Sequence, residues 1–436
     1  MFTEAEVIES MQFSFLFGKT INSTGSAREE ITYQYAGTSQ PVDFGGGDRT
    51  GWTGFTAAEE AKFEEALAHI ETFLNVDFVE VTGDSDPDLN VGKVDFFDST
   101  AGLGGLSASF IGTTVTRVDS FVIYKNTLDL QSELSLILHE LGHSLGLKHP
   151  FDSPVVPAGT DSNKYTVMSY TTNPDNGLDN DGMGLFDVVA LQSLWGAADF
   201  KAGNSTYTGS RNSTVDTIWD TGGTDHFNAS AKASNVVLDL REGHFSIFNT
   251  IEDVVIAFGT EIENATGGSG ADTITGNALD NKLVGGSGND TIKGNGGADI
   301  LNGEDGKDKL VAGLGIDALI GGKGNDILLG GNGNDNLKGG SGRDKLEGGG
   351  GKDILKGGIG SDKFVFKNSF GKDKVKDFQD DIDILKIGHA DVSSVDDALS
   401  FANNVGDNVV FLFDDGAKIT VLDMTMADLT DDILII

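Results

Sequence analysis

The 436-residue sequence contains no cysteine, only six prolines and few basic residues. Without cysteine the chain can form neither disulfides nor thiolate metal sites, so any zinc would be bound by histidine or carboxylate. Its 30 lysines and arginines are outnumbered by 68 aspartates and glutamates, which gives a net charge of -38. Because nucleic acids and anionic membranes repel such a chain, we expect neither as a partner. A carboxylate excess of this size favours hard cations, calcium above all.

Long hydrophobic runs are also missing. The first 19 residues lack a basic start and carry only a short apolar stretch at 13–17, unlike an N-terminal secretory signal. No apolar run approaches the roughly 20 residues that cross a bilayer, so we predict no membrane insertion. Any export is expected to use another signal. A short removable propeptide at the N-terminus stays an open alternative.

What the sequence has in abundance is glycine, and 30 of its 61 glycines lie between residues 267 and 365. The composition changes near residue 200 and again near residue 366. A chain of this length is expected to form two or three domains. We therefore predict domains at 1–199, 200–365 and 366–436, with a mixed helical and strand pattern in the first and strands in the last.

The glycine-rich segment is a repeat of nine residues. Eleven consecutive nonapeptides fill 267–365, and GGSGNDTIK at 285–293 is the clearest. The eighth place is always large and apolar, and the sixth is aspartate in every repeat except the one that carries Asn281. The sixth-place aspartates are Asp272, Asp290, Asp299, Asp308, Asp317, Asp326, Asp335, Asp344, Asp353 and Asp362.

This period is typical of calcium-binding RTX repeats. Each repeat supplies a glycine-rich turn and a short strand, and two repeats are predicted to form one coil of a parallel β-roll. Calcium would lie between stacked turns, and the segment is expected to be poorly ordered without it because the aspartates repel one another. A flexible linker is the alternative, but a linker has no reason to keep aspartate and leucine in phase.

Before the repeats, a capping box of Thr56 and Glu59 predicts a long amphipathic helix. His69 within this helix is expected to be a surface or edge residue and not a ligand. Further predicted elements are strands at 78–81, 89–97 and 120–124 and helices at about 131–145 and 185–194. After the repeats, strands and a hairpin turn at 414–416 are predicted to cap the roll.

The segment HELGHSLGLKH runs from His139 to His149. Residues four apart share one helix face, so His139 and His143 can bind one ion, with Glu140 beside it. Gly146 is predicted to end the helix and turn the chain so that His149 becomes a third ligand. Three protein ligands leave one position for water, as in a catalytic zinc site. The alternative is a helix that carries histidines without a metal, which the full spacing disfavours.

The spacing HExxHxxGxxH is the metzincin signature, and YTVMSY at 165–170 supplies a methionine turn at Met168. Together with LFDVVALQSLWGA and the RTX repeats, these motifs resemble the serralysin family. The resemblance implies an α+β metzincin-like zinc protease domain, then an all-β parallel β-roll with a β-sandwich-like cap. It also implies a secreted zinc-dependent endopeptidase of broad specificity that is stabilised by calcium.

The same resemblance assigns roles to residues of the first domain. His139, His143 and His149 would bind one zinc ion, and Glu140 would be the general base. Tyr170 would ligate zinc at rest and swing out to hydrogen-bond the oxyanion, with a core aromatic residue as the alternative. Met168 would form a hydrophobic floor without ligating zinc. The segment 104–110 corresponds to an edge strand on which protein and peptide substrates would bind in extended form.

Calcium ligands are also implied. Lys201, Gly203 and Ser205 stand where the family has arginine, glycine and threonine. Lys201 and Ser205 thus depart from the family at the first site, where main-chain carbonyls could still serve as ligands. The family has fewer nonapeptides and a longer catalytic part than this chain. The implied ligands are Asp220, Gly222, Gly223 and Asp225, then Glu261, Glu263, Gly268, Gly270 and Asp272, and then Gly286 and Gly288 with the sixth-place aspartates.

The C-terminal residues DDILII resemble the signal of proteins exported by a type I (ABC transporter) apparatus, although they also fit a last strand of the cap. We therefore expect a secreted, extracellular monomer whose roll folds when it meets calcium outside the cell. Two rival hypotheses remain: an RTX adhesion protein with an inactive front domain, and a different hydrolase, for instance one that acts on polysaccharide.

Overall fold

The computed structural model describes residues 3–16, 19–21, 27–41, 44, 47, 49–83, 86–96, 98–111, 114–211, 214–249, 251–367 and 369–436. The chain divides into two compact units. The first unit comprises Met1–Ala202, Ser210–Gly222 and Asp253–Thr260, and the second comprises Gly203–Gly209, Gly223–Glu252 and Glu261–Ile436.

The first unit combines helices with a mixed sheet whose strand order is β2-β1-β3-β5-β4. Strands β1, β2, β3 and β5 run parallel, and β4 pairs antiparallel with β5 at the edge. A parallel pair, β7 and β11, also belongs to this unit. The strands are β1 (Glu29–Tyr35), β2 (Val76–Glu80), β3 (Leu89–Val94), β4 (Gly102–Ile111), β5 (Thr114–Lys125), β7 (Asp216–Ile218) and β11 (Val254–Ile256).

The helices of this unit follow from local signals in the sequence. The capping box is formed as predicted, since the Thr56 side chain accepts from the Glu59 N–H and Glu59 accepts from the Thr56 N–H. The predicted helix at 131–145 starts later, because Leu130–Ser132 forms a separate 3₁₀ turn. The helices are α1 (Glu4–Met11), α2 (Ala57–Glu71), α3 (Leu134–Leu145) and α4 (Leu185–Trp195).

The structure also places the strand predicted at 89–97 and the side chain of His69. The strand predicted for 89–97 ends at Val94, and Phe97 lies outside the described residues. His69 is a packing residue whose Nε2 accepts from the Met183 N–H at 3.0 Å. Burial lowers the pKa of His69 to about 4, so the ring stays neutral in this position.

The second unit is a β-roll. Successive strands alternate between two sheets, and parallel partners are 18 residues apart, as in Leu283 with Leu301 and Leu301 with Leu319. Two nonapeptides therefore form one coil, as predicted. The eighth-place side chains fill the space between the sheets, and each of them is fully buried. The core of the roll is thus a column of apolar side chains, one from each strand.

The strands of the roll are short and regular. One sheet contains, in spatial order, β6 (Thr206–Tyr207), β8 (His226–Asn228), β12 (Asn264–Thr266), β14 (Lys282–Ser287), β16 (Ile300–Asp305), β18 (Ala318–Lys323), β20 (Asn336–Ser341), β22 (Ile354–Ile359), β24 (Lys372–Val375), β28 (Lys418–Val421), β27 (Asn408–Leu412) and β26 (Ala402–Val405). The other contains β9 (Val237–Asp239), β13 (Thr273–Thr275), β15 (Thr291–Gly296), β17 (Lys309–Leu314), β19 (Ile327–Gly333), β21 (Lys345–Gly351), β23 (Lys363–Lys367), β25 (Ile384–Gly388) and β29 (Ile433–Ile435). The short strand β10 (Phe245–Ser246) also lies in this unit.

The residues after the repeats extend the two sheets of the roll. Strands β24 and β25 continue the parallel stacking, and β26, β27 and β28 form an antiparallel edge. The hairpin turn predicted at 414–416 joins β27 to β28, with Gly416 at φ +88°. The apolar C-terminal tail forms β29, which pairs with β25. Two short helices, α5 (Val395–Ser400) and α6 (Met426–Leu429), complete this segment.

Glycine is required in the turns for two separate reasons. Gly324 has φ +138°, a conformation that side chains rarely adopt, and a Cβ there would lie 1.4 Å from the carbonyl oxygen of Gly306. At the second place of the repeat, Asn295 and Glu304 replace glycine and still have φ of +80° and +71°. The stacking of the coils therefore imposes left-handed backbone even on side chains that resist it.

A search for membrane-spanning helices among the described residues found none that is long and apolar enough.

The close stacking at Gly324 leads to a prediction. Gly324→Ala is expected to lower the free energy of unfolding of the calcium-loaded protein by at least about 2 kcal/mol, because of both φ strain and the clash with Gly306. Gly296→Ala is the matched control, since the nearest atom to its added Cβ is 3.9 Å away. Thermal unfolding of both variants measures the effect. Equal melting temperatures would contradict the stacking described here.

Candidate metal-binding sites

Helix α3 positions two of the three candidate zinc ligands. His139 and His143 lie one turn apart, while Ile137, Leu138 and Leu141 on the same helix are fully buried. Gly146 ends the helix with φ +115°, which needs glycine. The chain then turns, and one ligand nitrogen from each of His139, His143 and His149 lies within 4.8 Å of the others.

The hydrogen bonds of these rings show that a cation fits between them. The Nδ1 atoms of His139 and His143 lie 2.9 Å from the carbonyl oxygens of Val167 and Leu147. Because a carbonyl only accepts, each Nδ1 carries the proton and each Nε2 presents a lone pair. The Nε2 atoms of His143 and His149 are 3.2 Å apart. Converging imidazole lone pairs are the ligand set that zinc prefers in a site without cysteine.

Burial keeps the two helical rings neutral. It lowers the pKa of His139 to about 4 and that of His143 to about 3. Burial also lowers the pKa of His149, although its Nδ1 lies 3.5 Å from Asp152 and this carboxylate opposes the effect. Neutral imidazole is the form that binds a metal, so these rings need no deprotonation to accept one.

Glu140 and Tyr170 lie against the three histidines. Glu140 is buried, which raises the pKa of its carboxyl to about 7, while a hydrogen bond from the backbone of Gly104 on β4 opposes this rise. The Tyr170 side chain is 70% exposed, its hydroxyl lies 2.7 Å from His149 Nε2, and its ring stacks on His139. A proton acceptor and a hydroxyl donor therefore flank the same nitrogen cluster.

Two glycines of β4 allow α3 to approach the sheet edge. A Cβ on Gly104 would lie 2.0 Å from the carbonyl oxygen of Glu140, and one on Gly102 would lie 2.8 Å from Glu140 Oε1. The edge strand expected at 104–110 is thus present as β4 and passes directly beside the candidate base. Met168 is fully buried beneath the helix, where a Cβ on Gly142 would lie 2.5 Å from its sulfur.

Asp187 is a site residue that the sequence analysis missed. Its carboxylate accepts from the Thr166 hydroxyl at 2.5 Å and from the N–H groups of Val167 and Gly184 at 2.8 Å each. The carbonyl of Val167 in turn accepts from His139. Asp187 therefore fixes the methionine turn and, through it, the orientation of one ligand. The signal in the sequence was an acidic residue three places after Gly184, a helix start.

The sixth-place aspartates of the roll form a second set of candidate sites. One oxygen of each carboxylate accepts a main-chain N–H from the coil before it, as in Asp290 N–H to Asp308 at 2.8 Å and Asp326 N–H to Asp344 at 2.8 Å. The other oxygen is buried and has no hydrogen-bond partner among the described residues. This holds for Asp290, Asp299, Asp308, Asp317, Asp326, Asp335, Asp344, Asp353 and Asp362.

Calcium fits this arrangement. A Cβ on Gly321 would lie 2.5 Å from Asp326 Oδ2 and 2.5 Å from the carbonyl oxygen of Gly339, so carboxylate and main-chain oxygens face the same space. These are the ligands that calcium prefers. Burial raises the pKa of Asp290, Asp299 and Asp344 to about 7, because it penalises the charged form of each carboxyl.

Two further aspartates continue the series beyond the repeats. Asp373 accepts from the Asp353 N–H at 2.9 Å, and Asp383 accepts from the Asp362 N–H at 2.8 Å. Burial raises the pKa of Asp373 to about 8 and that of Asp383 to about 6. Asp373 follows Asp353 by 20 residues and Asp383 follows Asp362 by 21, so neither aspartate fits a nine-residue period. Each is nevertheless followed two places later by a buried apolar residue, which was the available signal.

Asn281 breaks the series in a way that the structure explains. Its Nδ2 donates to the carbonyl oxygen of Glu263 at 3.1 Å and to Asn277 Oδ1 at 3.0 Å. The amide thus supplies donors to oxygens at a level of the stack where an aspartate would supply none. The Asn281 side chain itself carries no charge for a cation to neutralise.

The calcium ligands implied ahead of the regular repeats are less uniform. Asp220 and Gly222 belong to the first unit, whereas Gly223, Asp225, Glu261, Glu263, Gly268, Gly270 and Asp272 belong to the second. Glu263 accepts from the Asp225 N–H at 2.6 Å. Both carboxylate oxygens of Asp272 accept main-chain N–H groups, from Val236 at 2.8 Å and Gly268 at 2.6 Å. These assignments stay predictions.

The fold and these sites define a class of protein in which a unit with three converging histidines is followed by an RTX β-roll. Comparison with known proteins is more specific. Residues 198–312 match the family model described as the peptidase M10 serralysin C terminal. Residues 302–337, 311–344 and 329–364 match the RTX calcium-binding nonapeptide repeat. Residues 198–312 are thus similar to the C-terminal domain of serralysins, and residues 302–364 are similar to RTX calcium-binding repeats.

Individual relatives agree with this assignment. Metallopeptidase AprA of Pseudomonas marginalis is 28% identical, over 59% of this chain and 62% of its own length. Serralysin of Photorhabdus laumondii is 31% identical over 52% of this chain and 55% of its own length, and serralysin A of Dickeya chrysanthemi is 30% identical over 60% of each. The chain thus spans about 55 to 62% of these relatives. A solved structure, the extracellular lipase LipA of Serratia marcescens, matches with a TM-score of 0.21 and 18% identity over 38% of this chain and 40% of its own, too little to compare folds.

The buried aspartates predict a pH dependence in calcium-free buffer. The pKa of Asp290 rises from 3.8 to about 7 in the folded roll, so the folded state binds more protons than the unfolded state between these values. Stability should therefore be greatest at low pH and be lost as the pH rises through about 7. Far-UV circular dichroism between about pH 5 and pH 8 measures this. With saturating calcium the loss should vanish; a calcium-free roll that is equally folded throughout would refute the prediction.

Asn281 allows a paired test of calcium binding. Asn281→Asp is expected to add one bound calcium ion per chain, because it creates a carboxylate of the kind found at the other levels. Asp326→Asn should remove at least one ion. Equilibrium dialysis with metal analysis measures both. An unchanged calcium content in both variants would show that the sixth-place side chain does not determine binding.

Proposed function

We propose that this chain is a secreted zinc-dependent endopeptidase that hydrolyses proteins with broad specificity and is stabilised by calcium in its roll. The observation that carries the proposal is the convergence of three imidazole nitrogens beside buried Glu140 and the hydroxyl of Tyr170. The named relatives are serralysins and metallopeptidases. We also propose that the first unit has an α+β metzincin-like fold.

In the mechanism, His139, His143 and His149 would hold zinc. A bound zinc ion acts as a Lewis acid and lowers the pKa of water to about 7. Glu140, whose pKa of about 7 suits a general base at neutral pH, would accept a proton from the attacking water at its carboxylate and return it to the leaving amine. The Tyr170 hydroxyl would donate a hydrogen bond to the oxyanion.

Strand β4 would position the substrate. It lies at the edge of the sheet and passes beside Glu140 through Gly102 and Gly104. An extended peptide that pairs with this edge would be held through main-chain hydrogen bonds, which do not depend on side chains. Broad specificity follows from this mode of binding.

Export would use a type I secretion apparatus that reads the C-terminal segment, and the mature protein would act outside the cell as a monomer. The low calcium of the cytoplasm would leave the buried aspartates unneutralised, so the roll would stay unfolded until it is exported. The same calcium dependence would make the extracellular form the stable one.

The base and the oxyanion donor can be tested with matched variants. Glu140→Gln is expected to lower casein hydrolysis by about 10²- to 10⁴-fold while the protein retains one zinc ion. Tyr170→Phe should lower it by on the order of 10²-fold. Glu64→Gln and Tyr35→Phe, which alter side chains of α2 and β1, are the controls and should retain full activity.

The outcomes separate the rival hypotheses. Full activity of Glu140→Gln would mean that another group is the base. A wild-type protein that binds zinc but cleaves none of several unfolded proteins would favour an adhesion role. Hydrolysis of polysaccharide that is unaffected by a zinc chelator would favour a different hydrolase.

A further inference from the structure

A cavity of about 560 Å³ opens beside the candidate catalytic residues and is lined in part by His139, Glu140 and Tyr170. A peptide bond held at the three histidines would therefore place a neighbouring side chain in this cavity. The chemistry of its remaining walls then selects which side chain fits. This inference rests on the proposed function and concerns the substrate of the same site.

The cavity carries acidic side chains. Glu133 and Asp179 line it, and none of the residues that line it is lysine or arginine. The Glu133 carboxylate has no hydrogen-bond or ion-pair partner within the described part of the chain. Asp179 is exposed and accepts only a long hydrogen bond, 3.4 Å, from Asn163. Two carboxylates thus face the cavity with almost none of their acceptor capacity used.

The amide of Asn163, which also lines the cavity, contacts Asp179. Asn163 is 4% exposed, and its Nδ2 donates to the carbonyl oxygens of Ser169 and Thr171 as well as to Asp179. Its Oδ1 is buried and has no hydrogen-bond partner among the described residues. Because Nδ2 contacts only acceptors, the orientation of the amide is fixed. The cavity is thus lined by two carboxylates besides that of Glu140 and by no lysine or arginine, an arrangement that a cationic group would complete.

The position of Glu133 sets the length of the side chain. Glu133 precedes α3, six residues before His139, which corresponds to about 9 Å along the helix axis. A short side chain next to the scissile bond would not reach this carboxylate, whereas the long stems of lysine and arginine would. This distance also separates the cationic head from a zinc ion at the histidines, which would repel it.

We infer that the cavity is a subsite for a lysine or arginine side chain adjacent to the scissile bond, and that Glu133 and Asp179 determine this preference. The substrates cleaved most efficiently would then be basic polypeptides. The net charge of -38 acts in the same direction, because it attracts such chains at long range.

The test begins with the zinc- and calcium-loaded wild-type protein and reduced, unfolded proteins, whose cleavage sites are mapped by mass spectrometry. Lysine and arginine should be enriched on one side of the cleaved bond. We then measure kcat/KM for peptides that carry lysine, norleucine or glutamate at that position. Lysine has a positive charge, norleucine has a neutral side chain of similar length, and glutamate has a negative charge. We expect lysine to exceed norleucine by on the order of fivefold, as for a partly exposed ion pair.

The double variant Glu133→Gln, Asp179→Asn should bring the ratio of lysine to norleucine close to one, while its zinc content and its rate on the norleucine peptide stay at the wild-type level. Glu133→Lys should favour the glutamate peptide. Glu64→Gln is the control and should keep the wild-type ratio. Equal rates for lysine and norleucine in the wild type, or a preference that survives the double variant, would overturn the inference. A wild type that cleaves no protein would instead refute the proposed function, and the inference with it.

Discussion

Both units depend on one constraint, the convergence of electron lone pairs on buried or partly buried side chains. In the first unit, imidazole nitrogens point at one another across 3.2 Å. In the second, buried carboxylate oxygens repeat along the roll without a donor. Such groups are costly unless a cation lies between them. In a chain without cysteine, nitrogen would be the ligand for zinc and oxygen the ligand for calcium, so the proposed sites differ in the type of ligand that they offer.

The site in the first unit is held by main-chain contacts more than by side-chain contacts. The carbonyls of Val167 and Leu147 orient two rings, Asp187 fixes the turn that provides the first of these carbonyls, and glycines on β4 bring the sheet edge against α3. Each contact depends on backbone position, so the geometry tolerates change in many surface side chains. It does not tolerate a side chain on Gly104.

The sequence predicted the features that depend on strict spacing. The 18-residue coil, the inward apolar column and the meeting of His139, His143 and His149 all follow from fixed intervals along the chain. Features that depend on tertiary contact were missed. Asp187 reads as an ordinary helical residue until Thr166 and Val167 are placed beside it, and Asp373 and Asp383 fall out of the nine-residue phase. The start of α3 was placed too early because a 3₁₀ turn has no distinct pattern.

The repeats of the roll are less regular between residues 276 and 320 than between residues 321 and 365. The coils built from residues 276–320 contain Asn281 and the left-handed Asn295 and Glu304, whereas every repeat from Gly321 to Val365 has glycine at its first, second and fourth places and aspartate at its sixth. Each coil contacts only its neighbours, so the free energy of ordering is gained coil by coil. The C-terminal repeats therefore carry the least backbone strain, and ordering that starts there would meet the lowest cost in its first coils. A chain that emerged tail first would begin to close before its remainder had arrived, and each closed coil would oppose backward sliding.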